Sequence, residues 1–193
     1  MLASASPRRR DLLGTLGITF TVEPADIDES ELEGEDPVAY VRRVAMAKAA
    51  VIGTAEDVVV IAADTTVDVD GLILAKPMDA SDARRMLGLL SGRTHSVHTG
   101  VAIRRGERTE IGVVSTRVTM VDIDTEKLRW YVGSGEPFGK AGAYALQGAG
   151  SLLVERIEGS VSNVIGLPLV LVDELLGRLG VSLVDLAGGS QGG

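Results

Sequence analysis

The segment Ser4–Arg10 (SASPRRR) combines residue types that suit anion binding. Ser6 and Pro7 predict a helix start, with serine at the cap and proline at the first helical position. A helix start presents free backbone N–H groups and the positive end of the helix dipole to an anion. Arg8 and Arg9 add guanidinium groups that can hold phosphate oxygens in pairs. The segment therefore predicts either a phosphate-binding turn or a solvated basic helix start.

Asp64 directly follows the apolar run Val58–Ala63 and so ends a strand that we predict to be covered on both faces. Enzymes of the α/β class place ligand-binding groups at strand ends, and burying an unpaired carboxylate is costly. Asp64 is therefore either a structural cap for the next turn or a metal ligand or general base. Lys76, followed by Pro77, comes after the returning strand, where it is either a surface lysine or an ammonium group near Asp64.

Other polar segments exclude several well-known chemistries. The loop Gly135–Gly142 lacks the spacing of a P-loop, although its glycines could let backbone approach a ligand, as could Gln147 and the glycine after it. His95 and His98 lie three apart on a predicted strand, so they face opposite sides and cannot form a metal pair. We find no serine with a credible His–Asp partner set, so a hydrolase triad is not expected.

Composition narrows the class of protein further. The 193 residues include no cysteine, which excludes disulfides, thiolate zinc sites and cysteine nucleophiles, and two histidines are too few for a histidine-built metal site. A net charge of −8 and 3% aromatic residues argue against a nucleic-acid polymer as partner. A small polyphosphate can still bind where a few Lys and Arg side chains converge and a divalent cation screens the carboxylates. No membrane span or signal peptide is recognised, so we expect a cytoplasmic protein.

The elements that position these residues follow from periodicity. Helices are predicted near 7–16, 37–52, 81–90, 125–132 and 168–180, and strands near 1–4, 18–22, 58–63, 94–104, 109–121 and 152–157. Asp70 and Gly71 mark a hairpin turn, and the acidic segment Asp26–Asp36 is expected to be a solvated, mobile loop. This order predicts an α/β fold with a mixed sheet and flanking helices. We expect one domain over residues 1–186 and a disordered, low-complexity tail over 187–193.

Taken together, these segments resemble the Maf family of nucleotide pyrophosphatases. Six stretches match in the family's order and cover nearly the whole chain: Ser4–Leu13, Ala62–Val67, Lys76–Pro77, Thr94–Gly100, Gly135–Gly148 and Ser162–Leu169. One such match would be weak, whereas six in order are highly specific. The family normally has a few more apolar residues before the first stretch than Met1–Ala3, so we expect a short first strand.

The resemblance implies an elongated sheet, two lobes around a cleft and a homodimer. It also implies hydrolysis of nucleoside triphosphates to monophosphate and pyrophosphate, dependent on a divalent cation, Mg²⁺ or Mn²⁺. By the same resemblance Asp64 is the catalytic carboxylate, and Glu29 and Asp64 are the metal ligands. The remaining substrate-binding side chains that it implies are Ser6, Arg8, Arg9, Lys48, Lys76 and Lys140.

The family divides into a branch acting on pyrimidine triphosphates and one acting on 7-methyl-GTP. Arg8, Thr65 and Gln147 stand at the positions that differ and resemble the pyrimidine branch. The expected substrates are therefore dTTP and UTP, with CTP a further candidate. Three alternatives stay open: a pyrophosphatase for 7-methyl-GTP or another modified nucleotide, a non-catalytic nucleotide-binding regulator of cell division, and a monoester hydrolase that releases free phosphate.

Overall fold

The computed structural model describes residues 1–53, 55 and 58–188 of the chain. The helices are α1 (Pro7–Gly14), α2 (Pro37–Val51), α3 (Ala80–Leu90), α4 (Thr125–Gly133), α5 (Val161–Ile165), α6 (Leu169–Arg178) and α7 (Leu183–Gly188). The strands are β1 (Val59–Val69), β2 (Leu72–Leu74), β3 (Thr94–Arg105), β4 (Arg108–Met120) and β5 (Val154–Glu158). They form one antiparallel sheet in the order β2-β1-β3-β4-β5. The predicted α/β fold with flanking helices is confirmed. The parallel pairing that a mixed sheet implies occurs in the bridges of Leu2 to Val22 and Ile61, outside the five strands.

Two regions, one near each end of the chain, differ in part from the sequence-based prediction. The predicted strand at 18–22 is wrong, since strand-like backbone pairing there is reduced to one parallel bridge between Val22 and Leu2. Leu2 also forms a parallel bridge with Ile61, so the short first segment does pair. The segment after Pro168 forms α6 as predicted, but α7 follows it and takes in Ala187 and Gly188, the first two residues of the predicted tail. The rest of the predicted tail, residues 189–193, lies outside the described residues.

Residue contacts group the chain into two compact units. The first comprises Met1–Asp64, Thr99–Val114 and the described part of Gly166–Gly193, and the second comprises Thr65–His98 and Ser115–Ile165. One domain over residues 1–186, with two lobes around a cleft, stays a prediction. No helix in the described ranges has the length and apolarity needed to cross a membrane.

In the first unit, the first half of β1 is covered on both faces, as its apolar run predicts. One face packs against α2 in a cluster of mostly small side chains: Ala45, Ala49, Ile52, Val60, Ala62 and Ala102. The other face packs in a cluster of larger side chains: Leu13, Ile61, Ala63, Val172, Leu175 and Leu176. Successive side chains alternate along a strand. Asp64, two residues after Ala62, therefore points to the α2 face. The expectation that Asp64 ends this strand is wrong, because β1 continues to Val69 through its pairing with β2.

The second unit has its own apolar core. Helices α3 and α4 pack with the strands around the fully buried Tyr131 and Leu87. The hairpin between β1 and β2 pairs Val67 with Leu74, and Asp70 and Gly71 at its tip both have positive φ, as the predicted turn requires. The Asp79 carboxylate accepts from the backbone N–H of Asp82 and so caps α3.

Candidate active site

Asp64 is buried at a point where β1 faces helix α2. Its side chain is almost inaccessible, and its Oδ1 accepts a hydrogen bond from Lys48 Nζ at 2.8 Å. Lys48 lies between Ala45 and Ala49 on the face of α2 that packs on the strand, and only 6% of it is exposed. Because small alanine side chains bring helix and strand close together, the lysine reaches the carboxylate directly. Burial raises the pKa of Asp64, and the charges of Lys48 and Arg9 act against that rise.

Glu29 joins the same ion-pair group from the acidic loop. Its Oε2 lies 3.0 Å from Lys48 Nζ, and its side chain is 37% exposed. The buried Asp64 and the half-exposed Glu29 thus converge on one ammonium group. The structure therefore brings together three residues, Glu29, Lys48 and Asp64, that the sequence assigned to the site through the family resemblance.

The acidic loop is held by α2 rather than free in solvent. The Arg43 guanidinium donates to both carboxylate oxygens of Glu35 at 2.6 Å and to the Ser30 carbonyl at 2.9 Å. Tyr40 Oη donates to the Glu29 carbonyl at 2.9 Å. Neither Tyr40 nor Arg43 was among the residues predicted from the sequence. Their spacing of three residues, just after the helix cap at Asp36, places both on one side of α2 and was the available signal.

The turn before α1 has the helix start that the sequence predicts, with Pro7 in the first turn, but the Ser6 hydroxyl forms no capping hydrogen bond to the described residues of the helix. Arg9 is 8% exposed, and its guanidinium is directed into the protein. Its Nε donates to the Gly166 carbonyl at 2.7 Å, and its Nη1 donates to the Ala63 carbonyl at 2.7 Å and to Ser4 Oγ at 3.0 Å. These bonds connect the turn to the residue before Asp64. Phosphate binding by Ser6, Arg8 and Arg9 stays a prediction.

Four further predicted site residues belong to the second unit. Thr65 follows Asp64 in β1 and is half-buried, whereas the side chains of Lys76 and Gln147 are exposed. Lys140 is half-buried, and its ammonium donates to the Glu136 carbonyl. The expectation that these residues share a site with Asp64 stays a prediction.

The two histidines have separate partners, as their spacing on a strand predicts. His95 Nε2 lies 2.8 Å from Tyr144 Oη. His98 Nδ1 lies 2.7 Å from Ser115 Oγ, and its Nε2 lies 3.4 Å from the Asp68 carboxylate. The expectation that no serine has a His–Asp partner set was therefore wrong. The contact at the acid end is long for a charge-assisted hydrogen bond, and Asp68 also accepts at 2.7 Å from a backbone N–H of its hairpin turn.

The donor set at Asp64 suits a hard divalent cation that arrives with a nucleotide. Mg²⁺ in phosphate-transfer sites is commonly bound through one or two carboxylates, with substrate phosphates and water as its other ligands. Glu29 and Asp64 provide two carboxylates that already converge on a cation, the Lys48 ammonium. Within the described ranges, no group of three or more His, Cys, Asp or Glu side chains is placed to hold a metal. The residues fit a cation whose remaining ligands come from the substrate and water.

Comparison with known proteins identifies the family of the chain. The Maf-like protein family model matches residues 1–179. A dTTP/UTP pyrophosphatase of Myxococcus xanthus is 53% identical over 184 residues, covering 95% of this chain and 93% of that protein. Proteins of the same name from Anaeromyxobacter dehalogenans and Moorella thermoacetica are 52% and 50% identical, over 95% of this chain and 95% and 96% of their own lengths. The chain therefore belongs to the Maf family.

Proposed function

We propose that the protein hydrolyses nucleoside triphosphates, with dTTP and UTP preferred, to the nucleoside monophosphate and pyrophosphate. The observation that carries this proposal is the buried Asp64 carboxylate, paired at 2.8 Å with Lys48 and sharing that ammonium with Glu29. A nucleotide-binding protein that performs no chemistry does not need a buried carboxylate at this place. The activity named for the similar proteins supports the same reaction.

Asp64 acts on the attacking water. Because burial raises its pKa, the carboxylate is a stronger base than an exposed aspartate and can accept a proton from water. The water oxygen forms a bond to the α-phosphorus, the bond from that phosphorus to the bridging oxygen breaks, and pyrophosphate leaves with the bonding electron pair. Positive side chains at the phosphates stabilise the charge that develops on the leaving group. Arg8, Lys76 and Lys140 are assigned this role.

Glu29 and Asp64 would hold a divalent cation, Mg²⁺ or Mn²⁺. Such a cation supplies Lewis-acid polarisation of phosphate oxygens and lowers the pKa of a bound water. Lys48 holds the two carboxylates close together and so maintains their arrangement before substrate arrives. The protein needs such screening because its own charge of −8 repels a triphosphate.

The preference for a pyrimidine base rests on Gln147. A glutamine amide both donates and accepts, so it can match the adjacent carbonyl and N–H on the edge of uracil or thymine. Its side chain is exposed in the second unit and accessible to a ligand. A polar group that the bound base buries and leaves unpaired costs about 1–3 kcal/mol, which is enough for tenfold discrimination or more. CTP is a further candidate substrate, and purine triphosphates are expected to be poor.

A nucleotide panel tests the proposal. The purified protein is incubated with Mg²⁺ and UTP, dTTP, CTP, GTP or 7-methyl-GTP, and pyrophosphate and free phosphate are measured separately. We expect pyrophosphate release with the highest kcat/KM for UTP and dTTP. A preference for 7-methyl-GTP would move the protein to the other branch. Nucleotide binding without turnover would favour the regulator, and release of free phosphate alone would favour the monoester hydrolase.

The same proposal describes a cytoplasmic homodimer whose partners are small nucleotides rather than nucleic-acid polymers or membranes. The acidic net charge and low aromatic content favour a small ligand over a polymer. Light scattering coupled to size exclusion tests the dimer. A mass near 20.2 kDa would identify a monomer and contradict that part of the proposal.

A further inference from the structure

The carboxylate of Glu136 binds the segment that follows Gln147. Its Oε2 accepts from the backbone N–H of Ala149 at 2.9 Å, and its Oε1 accepts from the backbone N–H of Gly150 at 2.8 Å. Tyr131 Oη donates to Oε1 at 3.0 Å and accepts from the backbone N–H of Ala145 at 3.2 Å. We call Tyr131 and Glu136 the loop clamp. It holds the backbone on both sides of Gln147, at Ala145 before it and at Ala149 and Gly150 after it.

Two glycines allow the backbone to approach the clamp this closely. A Cβ atom on Gly148 would lie 2.7 Å from Glu136 Oε2, and one on Gly150 would lie 2.6 Å from Tyr131 Oη. Gly148 also has a φ of +97°, a backbone conformation that residues other than glycine rarely adopt. Both positions therefore require glycine because of the clamp side chains beside them, and not only because the chain turns there.

The clamp is rigid at its base and charged at its tip. Tyr131 is fully buried in the core of the second unit, which fixes the position of its hydroxyl group. Partial burial acts to raise the pKa of Glu136, but the hydrogen bonds from Gly150, Ala149 and Tyr131 outweigh it and lower the pKa. The carboxylate is therefore ionised at neutral pH, and its hydrogen bonds to the backbone are charge-assisted and strong.

We propose that Glu136 is the positioning residue for base selection, acting through the backbone around Gln147. The clamp fixes the backbone on either side of Gln147 and therefore the point from which its exposed side chain reaches a ligand. Discrimination between bases requires donor and acceptor atoms held to within a fraction of an ångström. This inference rests on the proposed function, because it assigns to Glu136 the support of the residue that reads the pyrimidine.

Replacing the clamp residues tests the inference through selectivity rather than through activity alone. Glu136→Ala removes all three hydrogen bonds, Glu136→Gln keeps one acceptor oxygen, and Tyr131→Phe removes the hydroxyl group. For each variant, kcat and KM are measured for UTP and GTP with Mg²⁺. We expect the UTP-to-GTP ratio of kcat/KM to fall at least about tenfold in Glu136→Ala, mainly through a higher KM for UTP. Glu136→Gln should retain part of the ratio.

Controls separate positioning from a general structural role. Glu126→Gln makes the same change on an exposed residue of α4 and should leave the ratio unchanged. In a Gln147→Ala background, Glu136→Ala should reduce the ratio little further, because the reading side chain is already absent. An equal loss for UTP and GTP, or an unchanged ratio in folded Glu136→Ala, would overturn the inference. If Glu136→Ala does not fold, the same comparison in Glu136→Gln decides.

Failure of this inference can be told apart from failure of the proposed function. If the unsubstituted protein does not prefer UTP over GTP, the proposed function fails and Glu136 has no selectivity to support. If the unsubstituted protein prefers UTP and Gln147→Ala loses that preference while Glu136→Ala keeps it, only the role of Glu136 is rejected.

Discussion

Lys48 and Asp64 form a buried ion pair at the centre of the candidate site. A buried ion pair adds little net stability, because desolvation offsets most of the attraction, but removing one partner commonly costs about 3–5 kcal/mol. The desolvation also makes Asp64 a better base, since its pKa is raised. A residue that combines these features is a candidate for a functional role rather than for a stabilising one.

Asp64→Asn should abolish turnover while nucleotide affinity stays within about tenfold, or 1.4 kcal/mol. The substitution keeps the shape of the side chain but removes the base and one charge at the proposed metal site. Pyrophosphate release and calorimetric titration with UTP measure the two effects. Asp70→Asn, at the exposed hairpin tip, is the matched control and should keep its activity. Substantial turnover in Asp64→Asn would exclude its proposed role.

His95 should make the free energy of unfolding depend on pH. Burial lowers the pKa of His95 to about 4, whereas an unfolded histidine titrates near 6.5. As pH falls below about 6.5, His95 binds a proton in the unfolded chain but not in the folded protein. The stability that this group contributes is therefore fully present above about pH 6.5 and is lost progressively down to about pH 4. The loss approaches about 3 kcal/mol for this group.

Urea unfolding at pH 7, 6 and 5 measures this effect. In His95→Gln, which can still reach Tyr144 but does not titrate, the stability should fall less steeply over the same interval. Parallel pH profiles for the two proteins would show that another group is responsible.

Among the elements, α2 does most to assemble the site. Its buried face lies on β1 and carries Lys48, while Tyr40 and Arg43 hold the acidic loop that brings Glu29. The Asp36 side chain accepts from two backbone N–H groups of the first turn and so fixes where the helix begins. One helix therefore positions both carboxylates relative to each other.

Tyr40→Phe should raise the Mg²⁺ concentration needed for half-maximal activity a few-fold, with kcat at saturating Mg²⁺ little changed. The substitution removes the hydrogen bond to the Glu29 carbonyl, worth about 1 kcal/mol, and loosens one proposed metal ligand. Titrating activity with Mg²⁺ measures the shift. Tyr144→Phe loses a comparable hydrogen bond to His95 and should leave the Mg²⁺ requirement unchanged. An identical requirement in Tyr40→Phe would mean that the loop needs no such tether.

The sequence predicted helices and turns well where interactions between neighbouring residues determine the structure. The helix near 37–52 and the turn at Asp70 and Gly71 form as predicted. The strand predicted at 58–63 also forms, but its end is misplaced, because β1 continues to Val69. The failures are of another kind. The segment at 18–22 has the alternation of a strand but pairs only at Val22. Strand formation depends on a partner strand, which periodicity does not specify.

The candidate site could be predicted only in part for a similar reason. The family resemblance identified Glu29, Lys48 and Asp64, and the structure brings them together. The hydrogen bonds of Arg9 to Ala63 and Gly166 could not be predicted from the sequence, because these partners are 54 and 157 positions away along the chain. Tyr40 and the clamp residue Glu136 were also missed, since they act through backbone groups of other segments.

For the molecule as a whole, we expect an absolute need for a divalent cation and no zinc after purification. The chain has no cysteine, and the candidate ligands are oxygen atoms, which suit Mg²⁺ and Mn²⁺. Turnover of UTP should be lost in excess EDTA and return when Mg²⁺ or Mn²⁺ is added in excess of the chelator. Elemental analysis of the purified protein measures its zinc content. Full activity in EDTA would exclude the cation from the reaction.

The connections made by Arg9 bear on when the site can assemble during folding. The first unit is discontinuous in sequence, because the second unit is inserted into it twice. The Arg9 side chain closes long loops, because it bonds to residues that are 54 and 157 positions away along the chain. The chain loses conformational entropy when such a loop closes, before the contact can stabilise it. Folding rates fall as such distant contacts increase. On a ribosome, the hydrogen bond from the buried guanidinium of Arg9 to Gly166 can form only after Gly166 has been synthesised, so the turn beside Asp64 is completed long after the residues of the turn themselves have been made.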